Sequence, residues 1–190
     1  NGFSGQEMYM YDGTNAPTIV FDPNFTADSS SPDNYTVYAN KLYYTATTAA
    51  EGRELWVYDG TNSPTRLTDI NNGADHSVTG QVIAFAGKVY FVCNTPVYGS
   101  ELWSYNPLTN TTSLEVDIDS GAASSNPANL TVISGKLYFS ATSFLYGREL
   151  YVYDGTNPAI RLTDISANGL SSLSPVRKNA FALYKGKIYF

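Results

Sequence analysis

Four glutamates, Glu7, Glu54, Glu101 and Glu149, stand third in near-copies of one phrase: GQEMYMYDGTN, GRELWVYDGTN, GSELWSYNPLTN and GRELYVYDGTN. One carboxylate per copy could accept a sugar hydroxyl in each repeat, or it could satisfy backbone N–H groups inside a packed junction. Chemistry needs one constellation rather than four, so a residue written into every copy is expected to be framework. The residues that vary around the phrase are the better candidates for binding. In the loops just before it stand the aromatics Phe3, Tyr98, Phe144 and Tyr146, beside turn glycines, where a ring face can stack on a sugar. Arg53 and Arg148, at the start of the phrase in two copies, join them as candidate ligand contacts.

The loops that follow the last strand of each copy are rich in oxygen donors. Asp69, Asn71 and Asp75 in DINNGADHS, and Asp117 and Asp119 in DIDSGAASS, have the spacing of a Ca2+ loop. No copy supplies the later Glu of an EF-hand, and a polar turn between repeats explains the same residues. Calcium is therefore the one candidate cofactor, and none is required. His76 is the only histidine and Cys93 the only cysteine. His76 sits in a polar loop with no G-x-S-x-G turn nearby, so a Ser-His-Asp triad has little to build on. Multi-histidine metal centres and internal disulfides are excluded, and no pair of acids is marked out as a glycosidase pair. The expectation is a protein that is not an enzyme.

Those residues must be held by something, and the repeat says what. The glutamates are 47, 47 and 48 residues apart, and the lysines of NKLYY, GKVYF, GKLYF and GKIYF (Lys41, Lys88, Lys136 and Lys187) keep a similar rhythm. The whole chain divides into four copies, about 1–47, 48–94, 95–142 and 143–190, in one domain spanning 1–190. Each copy reads as four short strands, of which PANLTVI, KLYFSAT, ELYVYDG and AIRLTDI are the clearest set. Asp-Gly at 59–60 and 154–155 reads as a tight hairpin turn. No segment keeps a 3.6-residue apolar period, so helices are few or absent.

The third strand predicts how the sheets pack. Glu54, Trp56 and Tyr58 alternate with Leu55 and Val57, so both faces are largely apolar and both should be covered. Small antiparallel sheets stacked face to face about an axis make a β-propeller. The fold class expected is thus all-β, a propeller of four-stranded blades of about 47 residues, either a closed four-bladed ring or part of a larger one. The chain starts at a third strand and ends at a second, so its two ends could complete a composite blade.

Bulk properties narrow the partners. With 43% hydrophobic residues the 190-residue chain can build a sizeable core, and a net charge of −6 with 11 Lys plus Arg leaves no basic stripe for nucleic acid. The longest apolar runs are far short of the ~20 residues of a membrane-spanning helix, so no membrane insertion is expected.

The run E-L-W-x-x-D-G-T, as in ELWVYDGT, resembles the ELWxxDGT repeat of bacterial secreted and surface proteins. It is specific in the second and fourth copies. Met8 and Tyr9 replace Leu and Trp in the first, and YNPLTN replaces YDGTN in the third. The order GK-[LVI]-YF, ELxVYD, LTDI is also similar to a kelch blade, without that family's Gly-Gly doublet. The resemblance implies an extracellular or cell-surface protein. Together with the absence of catalytic machinery it yields the expected function: a non-catalytic binding module for glycans or a surface protein partner. The alternatives are a purely structural spacer in a large exported protein and, third, a propeller-type secreted hydrolase.

Overall fold

A computed structural model describes residues 5–24, 28–165 and 181–190. Among these residues there is no helix, so none is long and apolar enough to cross a membrane. The chain divides into two compact units, residues 1–79 and 80–190. In the first unit, β1 (Met8–Met10) and β2 (Thr18–Phe21) form a two-stranded antiparallel sheet. A four-stranded antiparallel sheet follows in sequence order: β3 (Asp33–Tyr38), β4 (Lys41–Thr48), β5 (Gly52–Tyr58) and β6 (Thr65–Arg66).

The second unit repeats that plan. Its first sheet is β7 (Val78–Phe85, which crosses the boundary), β8 (Lys88–Thr95), β9 (Gly99–Asn106) and β10 (Thr111–Val116). Its second is β11 (Ala128–Ile133), β12 (Lys136–Ser143), β13 (Gly147–Tyr153) and β14 (Ile160–Arg161). A separate two-stranded sheet holds β15 (Ala182–Tyr184) and β16 (Lys187–Tyr189). The physical brick therefore runs from the strand before the G-K turn to the strand after the Glu phrase, offset from the copy limits drawn on the sequence.

Turn chemistry explains the meander. Each first hairpin turns through two residues that both have positive φ: Ala39-Asn40, Ala86-Gly87, Ser134-Gly135 and Lys185-Gly186. That is the type I′ geometry whose twist matches the flanking strands. The DGTN segment behaves differently from the tight hairpin expected of it. β5 ends at Tyr58 and β6 begins only at Thr65, so the connection is six residues long. One oxygen of Asp59 accepts the N–H groups of Thr61 and Asn62, both at 2.8 Å, and the other accepts the Asn62 side-chain amide at 2.7 Å. Asp12 and Asp154 repeat the arrangement. An Asx turn locked by its own carboxylate, not a two-residue β-turn, makes this corner.

The third strands of the four-stranded sheets are covered on both faces, as their composition predicts: every residue of β13 is buried, and so are Glu54, Leu55 and Trp56 of β5, whereas Tyr9 and Met10 of β1 are exposed. In the first unit Met8, Tyr44, Ala46 and Trp56 form one cluster, joined by Val20 and Phe21 from β2. In the second, Phe85, Tyr90, Leu102, Phe139, Tyr151 and Tyr153 belong to a single core drawn from both four-stranded sheets. Phe139 stacks on Tyr151 at 5.8 Å and 17°. Each such buried aromatic contributes a few kcal/mol of transfer free energy. Cys93 is fully buried in β8 and in no disulfide, packed as a small apolar residue.

Candidate functional site

The Glu phrase proves to be a joint. Glu7, Glu54, Glu101 and Glu149 are all buried. Glu101 accepts both the N–H and the hydroxyl of Ser125, and the N–H of Ile118 at 3.4 Å. Glu7 takes the N–H and hydroxyl of Ser30 in the same way. Glu54 accepts the Thr68 hydroxyl at 2.6 Å and faces Ser77, and Glu149 accepts the hydroxyl of Thr163 and the N–H of Ile165 at 3.3 Å. The serines lie just before the first strand of the following sheet, so Glu7, Glu54 and Glu101 each fasten a third strand to the chain segment that starts the next brick.

A second bond reinforces the joints of Glu7, Glu54 and Glu101. The N–H preceding the glutamate is capped by the side chain preceding the buried serine: Gln6 N–H by Ser29 Oγ at 2.9 Å, Ser100 N–H by Ser124 Oγ at 2.9 Å, and Arg53 N–H by His76 Nδ1 at 2.8 Å. The only histidine thus fills a place that serine fills twice. Its imidazole is occupied as a backbone acceptor. His76→Ser is therefore expected to change stability by less than about 0.5 kcal/mol, because serine performs this cap elsewhere in the chain. Urea denaturation checks it, and a loss above about 2 kcal/mol would show that the imidazole has another task.

The candidate arginines also belong to the scaffold. Arg148 is 5% exposed, and its guanidinium donates to the carbonyls of Ser140 and Asn126 and to the Ser140 hydroxyl. Arg53 makes the matching bonds to the Ser31 carbonyl at 2.9 Å and the Thr45 hydroxyl at 2.6 Å. Both are committed to holding strands rather than reaching into solvent.

The candidate calcium residues make contacts within the chain. Asp69 pairs with Arg66 at 2.9 Å, the Asn71 amide donates to the His76 carbonyl at 3.2 Å, and the Asp75 carbonyl lies against Gly52. Asp119 accepts the Phe144 N–H with both oxygens, at 2.8 and 3.1 Å. Among the described residues no group of three or more His, Cys, Asp or Glu side chains is placed to hold a metal ion.

Of the loop aromatics, Phe3 lies outside the described residues. Tyr98 is 38% exposed and packs edge-on against Trp103 at 6.0 Å. Phe144 is 89% exposed, with its N–H on Asp119. Tyr146 is the one that borders a concavity. A cleft of about 550 Å³ in the second unit is lined by Asp117, Asp119, Leu145, Tyr146, Pro158 and Arg161, with Glu115, Tyr151 and Tyr153 deeper in it. So the structure brings Tyr146 together with Asp117 and Asp119, the pair read as a calcium loop, and adds Arg161. The sequence carried no signal for Arg161 beyond its place in IRLTD.

The floor of the cleft is chemically quiet. Glu115 accepts from Lys88 Nζ at 2.7 Å, Ser104 Oγ at 2.7 Å and the Tyr153 hydroxyl at 2.8 Å. Burial works to raise its carboxyl, but these bonds outweigh burial and hold it below the ordinary range. Burial pushes the Tyr151 and Tyr153 phenols up, so both stay neutral. Asp117 Oδ1 is buried and has no hydrogen-bond partner among the described residues, while Oδ2 accepts the Gly121 N–H at 3.4 Å. The Arg161 guanidinium lies 3.5 Å from the Tyr146 ring centroid, a stacked cation–π pair. The cleft therefore combines apolar walls, a carboxylate acceptor and a guanidinium donor. No protein-family model matches the chain, and no curated protein matches it.

Proposed function

We propose that this chain is a non-catalytic, glycan-binding module of a secreted or cell-surface protein, of the ELWxxDGT kind, and that its binding site is the cleft beside Tyr146. The observation that carries this reading is the convergence there of Tyr146, Asp117 and Arg161 with the apolar walls of Leu145 and Pro158. Saccharides present C–H faces that pack on such walls, and hydroxyls that need acceptors such as the cleft carboxylates Asp117 and Asp119. The lack of activity is part of the same reading, because the only histidine is spent as a backbone cap and Glu115 is locked in a neutralising network.

The propeller belongs to the proposal too. The three four-stranded antiparallel sheets support that reading as candidate blades. Repeated joints at Glu7, Glu54, Glu101 and Glu149 support a rigid scaffold with variable loops at its rim.

Removing the aromatic should separate site from scaffold. Tyr146→Ala is expected to weaken glycan binding about tenfold or more while leaving the unfolding midpoint within about 1 kcal/mol of the parent. A glycan array followed by calorimetry on the hits is the measurement. If the unaltered chain binds no saccharide, or Tyr146→Ala binds as well as the parent, the binding reading is overturned and the structural spacer takes its place.

A further inference from the structure

Two copies of the repeat share an arginine and differ in what stands beside it. Arg66 in one and Arg161 in the other each pair through Nη1 with an aspartate three residues on, Asp69 at 2.9 Å and Asp164 at 3.1 Å. At Arg66 the second terminal nitrogen, Nη2, bonds Glu51 Oε1 at 2.9 Å, so that cation is held between two carboxylates. The residue corresponding to Glu51 beside Arg161 is Tyr146. Its ring stacks on the guanidinium but brings no charge. Arg161 Nη1 is used by Asp164 and by the Thr163 carbonyl at 2.8 Å, and among the described residues Nη2 has no hydrogen-bond partner. Asp164 is itself half-exposed, and Arg161 lines the cleft.

A guanidinium presents a fork that suits a carboxylate, and stacking on an aromatic ring fixes the plane of that fork. The other charges of the cleft do not forbid an anion at this end. Glu115 is neutralised by Lys88 and shared with Ser104 and Tyr153, and Asp119 is engaged by the Phe144 N–H. Asp117 and Asp119 line the cleft as carboxylates, whose oxygens suit hydroxyl donors. The complementary ligand carries one carboxylate and several hydroxyls. We propose that the cleft selects acidic saccharides of the uronic-acid class, whose carboxylate takes at Arg161 the place Glu51 holds at Arg66. The proposal rests on the reading of the cleft as a saccharide site and adds the charge of the sugar.

The copy that keeps Glu51 supplies the test. Tyr146→Glu writes into the cleft the carboxylate that the other copy tolerates, so Arg161 is neutralised from within and the fold has a precedent for the pair. The intact chain, Tyr146→Glu and Arg161→Gln are compared on an array of uronic-acid oligosaccharides printed beside their carboxyl-reduced, neutral forms, with unfolding midpoints measured in parallel. The acidic forms should bind the parent about tenfold or more above the neutral forms, and both variants should lose that preference while remaining folded. Equal binding of acidic and reduced forms overturns the charge assignment and leaves the saccharide site standing. Acid-selective binding that survives in folded Arg161→Gln also overturns it, because another cation would then hold the carboxylate. Binding of neither form by the parent removes both the charge assignment and the site.

Discussion

Gly99→Ala is expected to destabilise the chain by about 3 kcal/mol or more. Gly99 opens the third copy of the Glu phrase at φ +62°, a left-handed conformation that side chains resist. Strain alone would cost about 1 kcal/mol. The larger part comes from where the methyl would go: 2.3 Å from the Ala123 carbonyl oxygen, 2.7 Å from its carbon and 2.7 Å from Ser124 Oγ. Backbone cannot swing aside as a side chain can, so the joint itself must open, and with it the Ser100–Ser124 and Glu101–Ser125 bonds. Gly52 meets the Asp75 carbonyl at 2.4 Å in the same way. Gly121→Ala is the control, since its φ is +86° but no atom lies within 4 Å of the added carbon. Urea midpoints for the two variants measure the difference directly. If Gly99→Ala were no worse than Gly121→Ala, the close approach would not be what demands glycine.

Lowering the pH from 8 to 5 is expected to stabilise the second unit by about 2–3 kcal/mol through Glu101. Burial pushes this carboxyl up from 4.5 to about 7, against the opposing hydrogen bonds from Ser125 and Ile118. The folded chain then holds a proton that the unfolded chain releases between those two values. Its contribution is fully present below 4.5 and is lost as pH rises through 7. Glu54 is shifted in the same direction, again by burial first. The turn aspartates act elsewhere on the scale. Asp12 is held at about 2 chiefly by the Asn15 N–H, and Asp59 and Asp154 at about 2 chiefly by the side chains of Asn62 and Asn157. What those three contribute is present above 3.8 and fades only as pH falls towards 2. Glu101→Gln keeps an acceptor for the Ser125 N–H and cannot ionise, so it isolates the effect: its stability should vary less between pH 5 and 8 than the parent's. A parent whose stability rises over that interval, or a variant with the same slope, would refute the assignment.

Both predictions concern the joint, which was only half legible in the sequence. That Glu101 and its three counterparts are framework followed from their recurrence, and their bonds to backbone N–H groups are of the kind expected. That the glycine two residues earlier is the other half of the joint was not legible. The atom it must avoid belongs to Ala123, more than twenty residues downstream, and nothing in GSELW names that neighbour. The DGTN corner shows the same limit at short range. Asp-Gly is the residue pair of a tight hairpin, yet the Asn62 amide and the Thr61 and Asn62 N–H groups are close enough to capture the Asp59 carboxylate, and the longer turn wins. Arg53 and Arg148 looked like loop cations because they follow turn glycines, but their length lets them reach back across the neighbouring strand to carbonyls.

The amino-acid sequence alone determined the period, the four-strand brick, the absence of helix among the described residues, and the burial of both faces of the third strand. These follow from alternation, turn residues and repetition, which act between near neighbours in the chain and so are written in local order. Only the tertiary structure decided that Asp117, Asp119, Tyr146 and Arg161 border one cleft, that His76 is a cap, and that Phe144 and Tyr98 do not line that cleft. Convergence of that kind depends on which strands are laid side by side, and residues some thirty to forty positions apart become neighbours only when two sheets share a core.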